Sequence, residues 1–228
     1  MSSVAVPGKL NRPATFYQSV VGKKVVMATT GIVLSGFVLG HMLGNLQLFQ
    51  GRDKLNHYAE LLQSLGGVLW LVRGFLLLCT VAHIASAYQL WRLKNDARPQ
   101  AYVRKATIAT TYAARTMFWS GPIVGAFLVY HILHFTTGQA FGSGFIKGDV
   151  YHNVIVGFSN PAVSLFYIVA NILLAMHLYH GVWSMFQSLG VNHPKYTPIL
   201  KTVAKFYAWI VGVGNVAMPL AVLTQVVK

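Results

Sequence analysis

Five long apolar stretches, at about residues 25–49, 68–91, 113–137, 161–187 and 203–227, constrain this chain more than any motif it contains. At about 1.5 Å of rise per residue, each is long enough as a helix to cross roughly 30 Å of hydrocarbon. Hydrocarbon offers no partner to backbone N–H and C=O groups, and a helix satisfies them within one segment. The five stretches use most of the 228 residues and leave no length for a separate soluble domain. Charged residues make up only 10% of the sequence, where a soluble domain carries about a quarter. The expected fold is all-α, an integral membrane bundle of five transmembrane helices forming a single domain over residues 1–228.

A formal charge of +14 raises the question of nucleic acid, and the placement of the charges answers it. Lys9, Arg12, Lys23 and Lys24 precede the first stretch, and Arg92, Lys94, Arg98, Arg104, Lys105 and Arg115 surround the second connection. Lys195, Lys201 and Lys205 lie in or near the fourth connection. These connections all fall on one side of the bundle. The other side holds Arg52, Lys54, Lys147 and Lys228, with Arg73 just inside the second stretch. The positive-inside rule then places the N-terminus in the cytoplasm and the C-terminus outside, with the chain in the cell inner (cytoplasmic) membrane. The basic surface is suited to anionic lipid or an acidic partner; nucleic acid is not an expected partner.

The first twenty residues include Pro7 and Pro13 and lack the short apolar core of a cleavable signal. Cys79 is the single cysteine, so disulfides and cysteine-ligated clusters within one chain are excluded. There is no C-x-x-C-H for covalent haem attachment. Any haem is held non-covalently.

Local punctuation supports the division into spans. The first stretch contains Gly31, Gly36, Gly40 and Gly44, the last three at four-residue spacing. That spacing serves either close helix packing or room for a flat macrocycle beside His41, and both readings stand. In the first outer connection, Gln50–Gly67, the spacing of Leu55, Tyr58, Ala59 and Leu62 predicts a short amphipathic helix at the interface. Trp91, Arg92 and Lys94 form an aromatic and basic belt at the cytoplasmic end of the second stretch. Pro99 punctuates the loop that follows. The Gly-rich connection Gly138–Asn160 closes with Asn160-Pro161, a good start for span four. That span is expected to end near Gly190, with Pro194 and Pro198 marking the next loop.

His41, His83, His131 and His177 each sit inside a different span. Ionisable residues in membrane helices are costly and point to a functional site, and neutral imidazole is a common ligand of haem iron. Counting along helices gives each a depth. His41 lies about 16 residues, and His131 about 18, along outward-running helices. His83 and His177 lie about 15 and 16 residues along inward-running ones. The four therefore sort into an outer pair and an inner pair, about 10–15 Å apart along the membrane normal. Two bis-histidine haems, His41 with His131 and His83 with His177, satisfy that arrangement. The plainer alternative, a histidine bonded across to a neighbouring helix, explains one such residue more readily than four in depth-matched pairs.

His134 and His180 lie one turn beyond His131 and His177. A di-metal bundle site would also need several carboxylates, and no span contains Asp or Glu. Donation to a haem propionate, quinone or water, and a packing role, remain open for both. His57, His152 and His193 fall in loops and are expected at the surface.

Gly22-Lys23-Lys24 leading to Gly40-His41-Met42-Leu43-Gly44-Asn45-Leu46-Gln47, and Met176-His177-Leu178-Tyr179-His180-Gly181-Val182-Trp183-Ser184, carry a family resemblance. Val81-Ala82-His83 and Val129-Tyr130-His131 supply the other two ligand positions. Over nearly its whole length the chain resembles the single-chain, two-haem cytochrome b membrane anchor of succinate:quinone oxidoreductases, in its b558-type branch. The resemblance implies two haem b groups, the outer held by spans one and three and the inner by spans two and four. It implies a flavoprotein subunit and an iron–sulfur subunit docked on the cytoplasmic face, and quinone, menaquinone in preference to ubiquinone. It also implies a quinone-reactive subunit of succinate dehydrogenase or fumarate reductase that has no dicarboxylate site of its own.

Ser19 and Lys23 share a helix face and resemble the serine-and-cation pair that faces quinone in related anchors, where the cation is usually arginine. Interfacial anchoring is the alternative for both. Arg115 and His180 are candidate propionate partners, with snorkelling to lipid headgroups the alternative for Arg115. Some family members carry a glutamate two residues before the span-four ligand as part of a proton path; here that residue is Ala175. Glu60 could serve a distal quinone site.

The nearest rival is the haem b anchor of another quinone-linked enzyme, such as nitrate reductase or formate dehydrogenase, which commonly places two ligands on one helix ten or more residues apart. A haem-free transporter would require discontinuous helices and polar groups near the midplane, and a colourless structural anchor is the third alternative.

Overall fold

The computed structural model describes residues 16–97 and 112–228. The expectations placed on Pro7, Lys9, Arg12, Pro13, Arg98, Pro99, Arg104 and Lys105 lie outside the described residues. Within them, all regular structure is helical: α1 (Val20–Asn45), α2 (Arg52–Ser64), α3 (Gly67–Asp96), α4 (Tyr112–His131), α5 (Val150–Ser159), α6 (Pro161–Ser188) and α7 (Thr197–Leu223). A 3₁₀ turn, Leu46–Gln50, extends α1, and a π-helical turn, Ile132–Thr136, extends α4. With those extensions, α1, α3, α4, α6 and α7 are the five helices long and apolar enough to cross a membrane.

The helix ends follow from side-chain chemistry. Ser19 caps α1 by accepting the Gly22 N–H at 2.9 Å. The chain leaves the 3₁₀ turn through Gly51, whose φ of +97° suits glycine. Asn160 accepts the Ala162 N–H at 3.0 Å, and Pro161 occupies the first turn of α6. The amphipathic segment around Leu55–Leu62 is helical as predicted, and Leu55 is its buried residue.

Two boundaries differ from expectation. The fifth span begins at Thr197 rather than near 203 because Pro198 stands in its first turn, where no N–H is needed, instead of closing the loop. The connection 138–160, read as a Gly-rich loop, contains α5. Four of its five glycines, Gly138, Gly142, Gly144 and Gly148, precede the helix, which starts from an Asp149 cap that accepts the His152 N–H at 3.1 Å.

The spans do not pack evenly. α6 and α7 share the longest seam, α1 lies against both, α3 packs on α1, and α4 packs on α6. Met42, Leu178, Ala208 and Val211 form the buried cluster where α1, α6 and α7 meet. Tyr207 adds a hydrogen bond from its hydroxyl to the Ser35 carbonyl at 2.6 Å. A second cluster, Leu48, Leu55, Phe158, Tyr167, Met218 and Val222, adjoins the first through Leu46 and closes the end of the bundle around α2 and α5. There Arg52 pairs with Asp149, and Asn56 donates to Asp149 at 2.9 Å.

The glycine face of α1 is divided in use. At Gly44 an added Cβ would fall 2.6 Å from the Tyr58 ring, so this position serves packing of α2 on α1. At Gly31 it would lie 3.4 Å from His83 Cε1, so the imidazole rests against bare backbone. At Gly36 and Gly40 it would meet nothing within 4 Å.

Candidate functional site

The four span histidines meet in two pairs. His41 on α1 and His131 on α4 have ring centroids 5.7 Å apart, with planes at 86°. His83 on α3 and His177 on α6 have centroids 6.4 Å apart, with planes at 59°. Edge-on rings at this spacing are common among aromatics, so distance alone decides little. What distinguishes these pairs is the architecture around them. α1 does not pack closely along α4, nor α3 along α6, yet their imidazoles reach one another across the intervening space.

The inner pair has a defined tautomer at His83. Its Nδ1 lies 3.1 Å from the Met27 carbonyl and 3.2 Å from Thr30 Oγ1. The Thr30 hydroxyl donates its own proton to the Val26 carbonyl at 2.7 Å. Both neighbours are therefore acceptors, so Nδ1 carries the proton and Nε2 presents a lone pair. This is the form in which histidine ligates a metal. Among the described residues, His177 Nδ1 is buried without a hydrogen-bond partner.

The outer pair is framed by rings. Phe37 stacks on His41 at 5.4 Å, and Phe127, Phe135 and Tyr167 surround His131 at about 6 Å. The Tyr167 hydroxyl lies 3.4 Å from His131 Nδ1. His41 itself remains exposed, beside the open ground at Gly40.

Ring centroids 5.7 and 6.4 Å apart leave space for one iron between the two imidazoles of each pair, which would hold it through their ring nitrogens. The side-chain-free ground at Gly36 and Gly40, and the fixed Nδ1–H of His83, are further features that fit a flat bis-histidine cofactor.

Beyond the ligand positions the picture is mixed. Among the described residues, His180 Nδ1 and Trp183 Nε1 are both buried without hydrogen-bond partners, one turn apart on α6. Lys201 Nζ lies 4.7 Å over the Trp183 ring. These unspent donors make His180 a fitting partner for an acid group. Trp183 joins it at a spacing of three residues, although no Trp in an apolar run announces such a role from sequence. Arg115 is exposed, with its guanidinium 5.9 Å over Tyr112. His134 is buried and bonded to Tyr167 at 3.0 Å.

Ser19 and Lys23 differ in their surroundings. Ser19 is exposed, donates to the Phe16 carbonyl at 2.6 Å and accepts from Gly22, so its hydroxyl serves the helix start. Lys23 is 8% exposed and donates to the carbonyls of Tyr17 and Gln18 at 2.8 and 3.2 Å. It lines an open cleft of about 220 Å³ with Gln18, Gln89, Arg92, Leu93 and Asp96. His57, Glu60 and His193 are at the surface, and His152 donates from Nε2 to the Gly144 carbonyl at 3.1 Å.

In comparisons with protein-family models, with curated proteins and with solved structures, nothing matches this chain.

Proposed function

We propose that this chain is the two-haem cytochrome b anchor of a succinate:quinone oxidoreductase, passing electrons from an iron–sulfur subunit to quinone. One observation carries the proposal: two histidine pairs at ligand spacing, each bridging helices that are not otherwise closely packed. The motifs around His41 and His177 support the choice of family. One ligand on each of four helices also disfavours the anchors that place both ligands on one helix.

Haem b, when bound, supplies reversible one-electron chemistry. The chain's own residues hold and tune it. Met27 and Thr30 fix the His83 ring and its tautomer, and the outer rings exclude water from the neighbourhood of His131. His180 and Trp183 offer donors to the acid groups of the inner cofactor. The flavoprotein and iron–sulfur subunits dock at the end of the bundle carrying Lys23, Lys24, Arg92, Lys94, Arg115, Lys195, Lys201 and Lys205, which is the cytoplasmic end in this proposal. Quinone, menaquinone in preference to ubiquinone, takes the cleft at that end, with Lys23 and Gln89 as donors to its carbonyls. The proposal includes no glutamate-type proton path. Ala175 lies against α7, where a Cβ on Gly212 would be 2.9 Å from its own, leaving the seam little room for a longer side chain.

The deciding experiment is a haem-per-chain determination on detergent-purified complex, with difference spectra recorded through a redox titration. Two b-type haems per chain, titrating as separate components, are expected. One haem would remove a pair, and none would end the proposal. His83→Ala or His177→Ala is expected to abolish the inner haem and leave the outer haem spectrum in place. Loss of both haems from a folded variant would contradict independent sites.

A further inference from the structure

Tyr167, on α6, is 3% exposed, and its hydroxyl sits between two imidazoles of the neighbouring helix. It lies 3.0 Å from His134 Nδ1 and 3.4 Å from His131 Nδ1. A phenol has one proton to donate and lone pairs with which to accept. A histidine that ligates through Nε2 keeps its proton on Nδ1, and the acceptor for that proton raises the basicity of the ligand. Both directions follow for an iron-bound His131. His131 Nδ1–H donates to Tyr167 Oη, and Tyr167 O–H donates to His134 Nδ1.

We infer that Tyr167 and His134 form a positioning relay behind His131 that lowers the potential of the outer haem and does not act on the inner one. This rests on the haem reading above. Giving its own proton to His134 makes the phenol oxygen a better acceptor. That strengthens His131 as an electron donor and favours ferric iron. The inner pair has a different arrangement, since His83 donates to a backbone carbonyl and a threonine hydroxyl on α1.

The local fold holds the relay in register. His131 is the last residue of α4, and the π-helical turn Ile132–Thr136 begins immediately after it. π-turns are often found at functional sites; this one lets both Nδ1 atoms converge on one hydroxyl. His134 is 2% exposed and stacks on Phe141 at 5.0 Å and on Tyr130 at 5.3 Å. Gly157 on α5 makes the space, because a Cβ there would fall 3.0 Å from His134 Cε1.

The test is an equilibrium redox titration of the full complex carrying Tyr167→Phe, with low-spin electron paramagnetic resonance spectra alongside. The outer component is identified as the one that survives in His83→Ala. The expected result is two haems retained, a positive shift of the outer midpoint potential, an altered outer resonance and an unmoved inner haem. His134→Leu, which keeps the phenol and removes its acceptor, is expected to shift the outer potential in the same direction by less. Should Tyr167→Phe fail to assemble, His134→Leu decides. An unmoved outer potential, or equal movement of both, overturns the relay while leaving the two-haem reading intact. A wild-type complex without haem would end both.

Discussion

Asp149 is one carboxylate that serves two helices. It caps α5 through the His152 N–H, accepts from Asn56 at 2.9 Å and pairs with Arg52 on α2. Burial alone would raise its pKa. The hydrogen bonds from Asn56, the His152 N–H and Arg52, together with the Arg52 charge, outweigh burial and hold it below the ordinary carboxylate value. A carboxylate with a depressed folded pKa stabilises above its unfolded pKa, and that contribution is lost as pH falls through the folded value. Protection of the α5 amides, corrected for intrinsic exchange, is therefore expected to weaken at acid pH in the wild type. In Asp149→Ala it should be weaker at neutral pH by about 1 kcal/mol and lose that dependence. The span histidines were legible in the sequence because an ionisable side chain in an apolar run is rare and costly. Asp149 and Tyr167 were not, because an acid in a loop or a tyrosine in a span is commonplace until its distant partners are in place.

At the level of the helix, sequence patterns located the spans well and their ends less well. Long apolar runs survive any small error of register, whereas an end depends on one or two side chains. Pro198 reads equally as a loop breaker or a first-turn residue, and only the position of the preceding chain chooses between them. The π-helical turn after His131 has no signature in Ile132-Leu133-His134-Phe135-Thr136; tertiary contacts from Tyr167 and α5 select it. The glycine face of α1 was legible as a face but not in its division between packing and open ground. Gly44→Ala forces a Cβ to within 2.6 Å of Tyr58 and is expected to destabilise the docking of α2 by about 1–3 kcal/mol. Thermal unfolding in detergent, compared with Gly74→Ala on α3, where an added Cβ would meet nothing within 4 Å, measures the difference.

Across the whole molecule, eight of the thirteen Lys and Arg residues of the described chain lie at one end, where α1, α4 and α7 begin and α3 and α6 finish. The expected orientation puts that end in the cytoplasm and the C-terminus outside. A reporter fused after Lys228 is expected to be accessible from outside in intact cells; labelling only after lysis would reverse the topology. The architecture is a packed trio, α1, α6 and α7, with α3 and α4 attached to its flanks. The best-buried of the five spans is α7, and it carries none of the four paired histidines. That has a consequence for biosynthesis. A ribosome delivers every paired histidine to the membrane before it has delivered the helix that completes the scaffold. Final locking of the two histidine pairs therefore waits until α7 has been inserted.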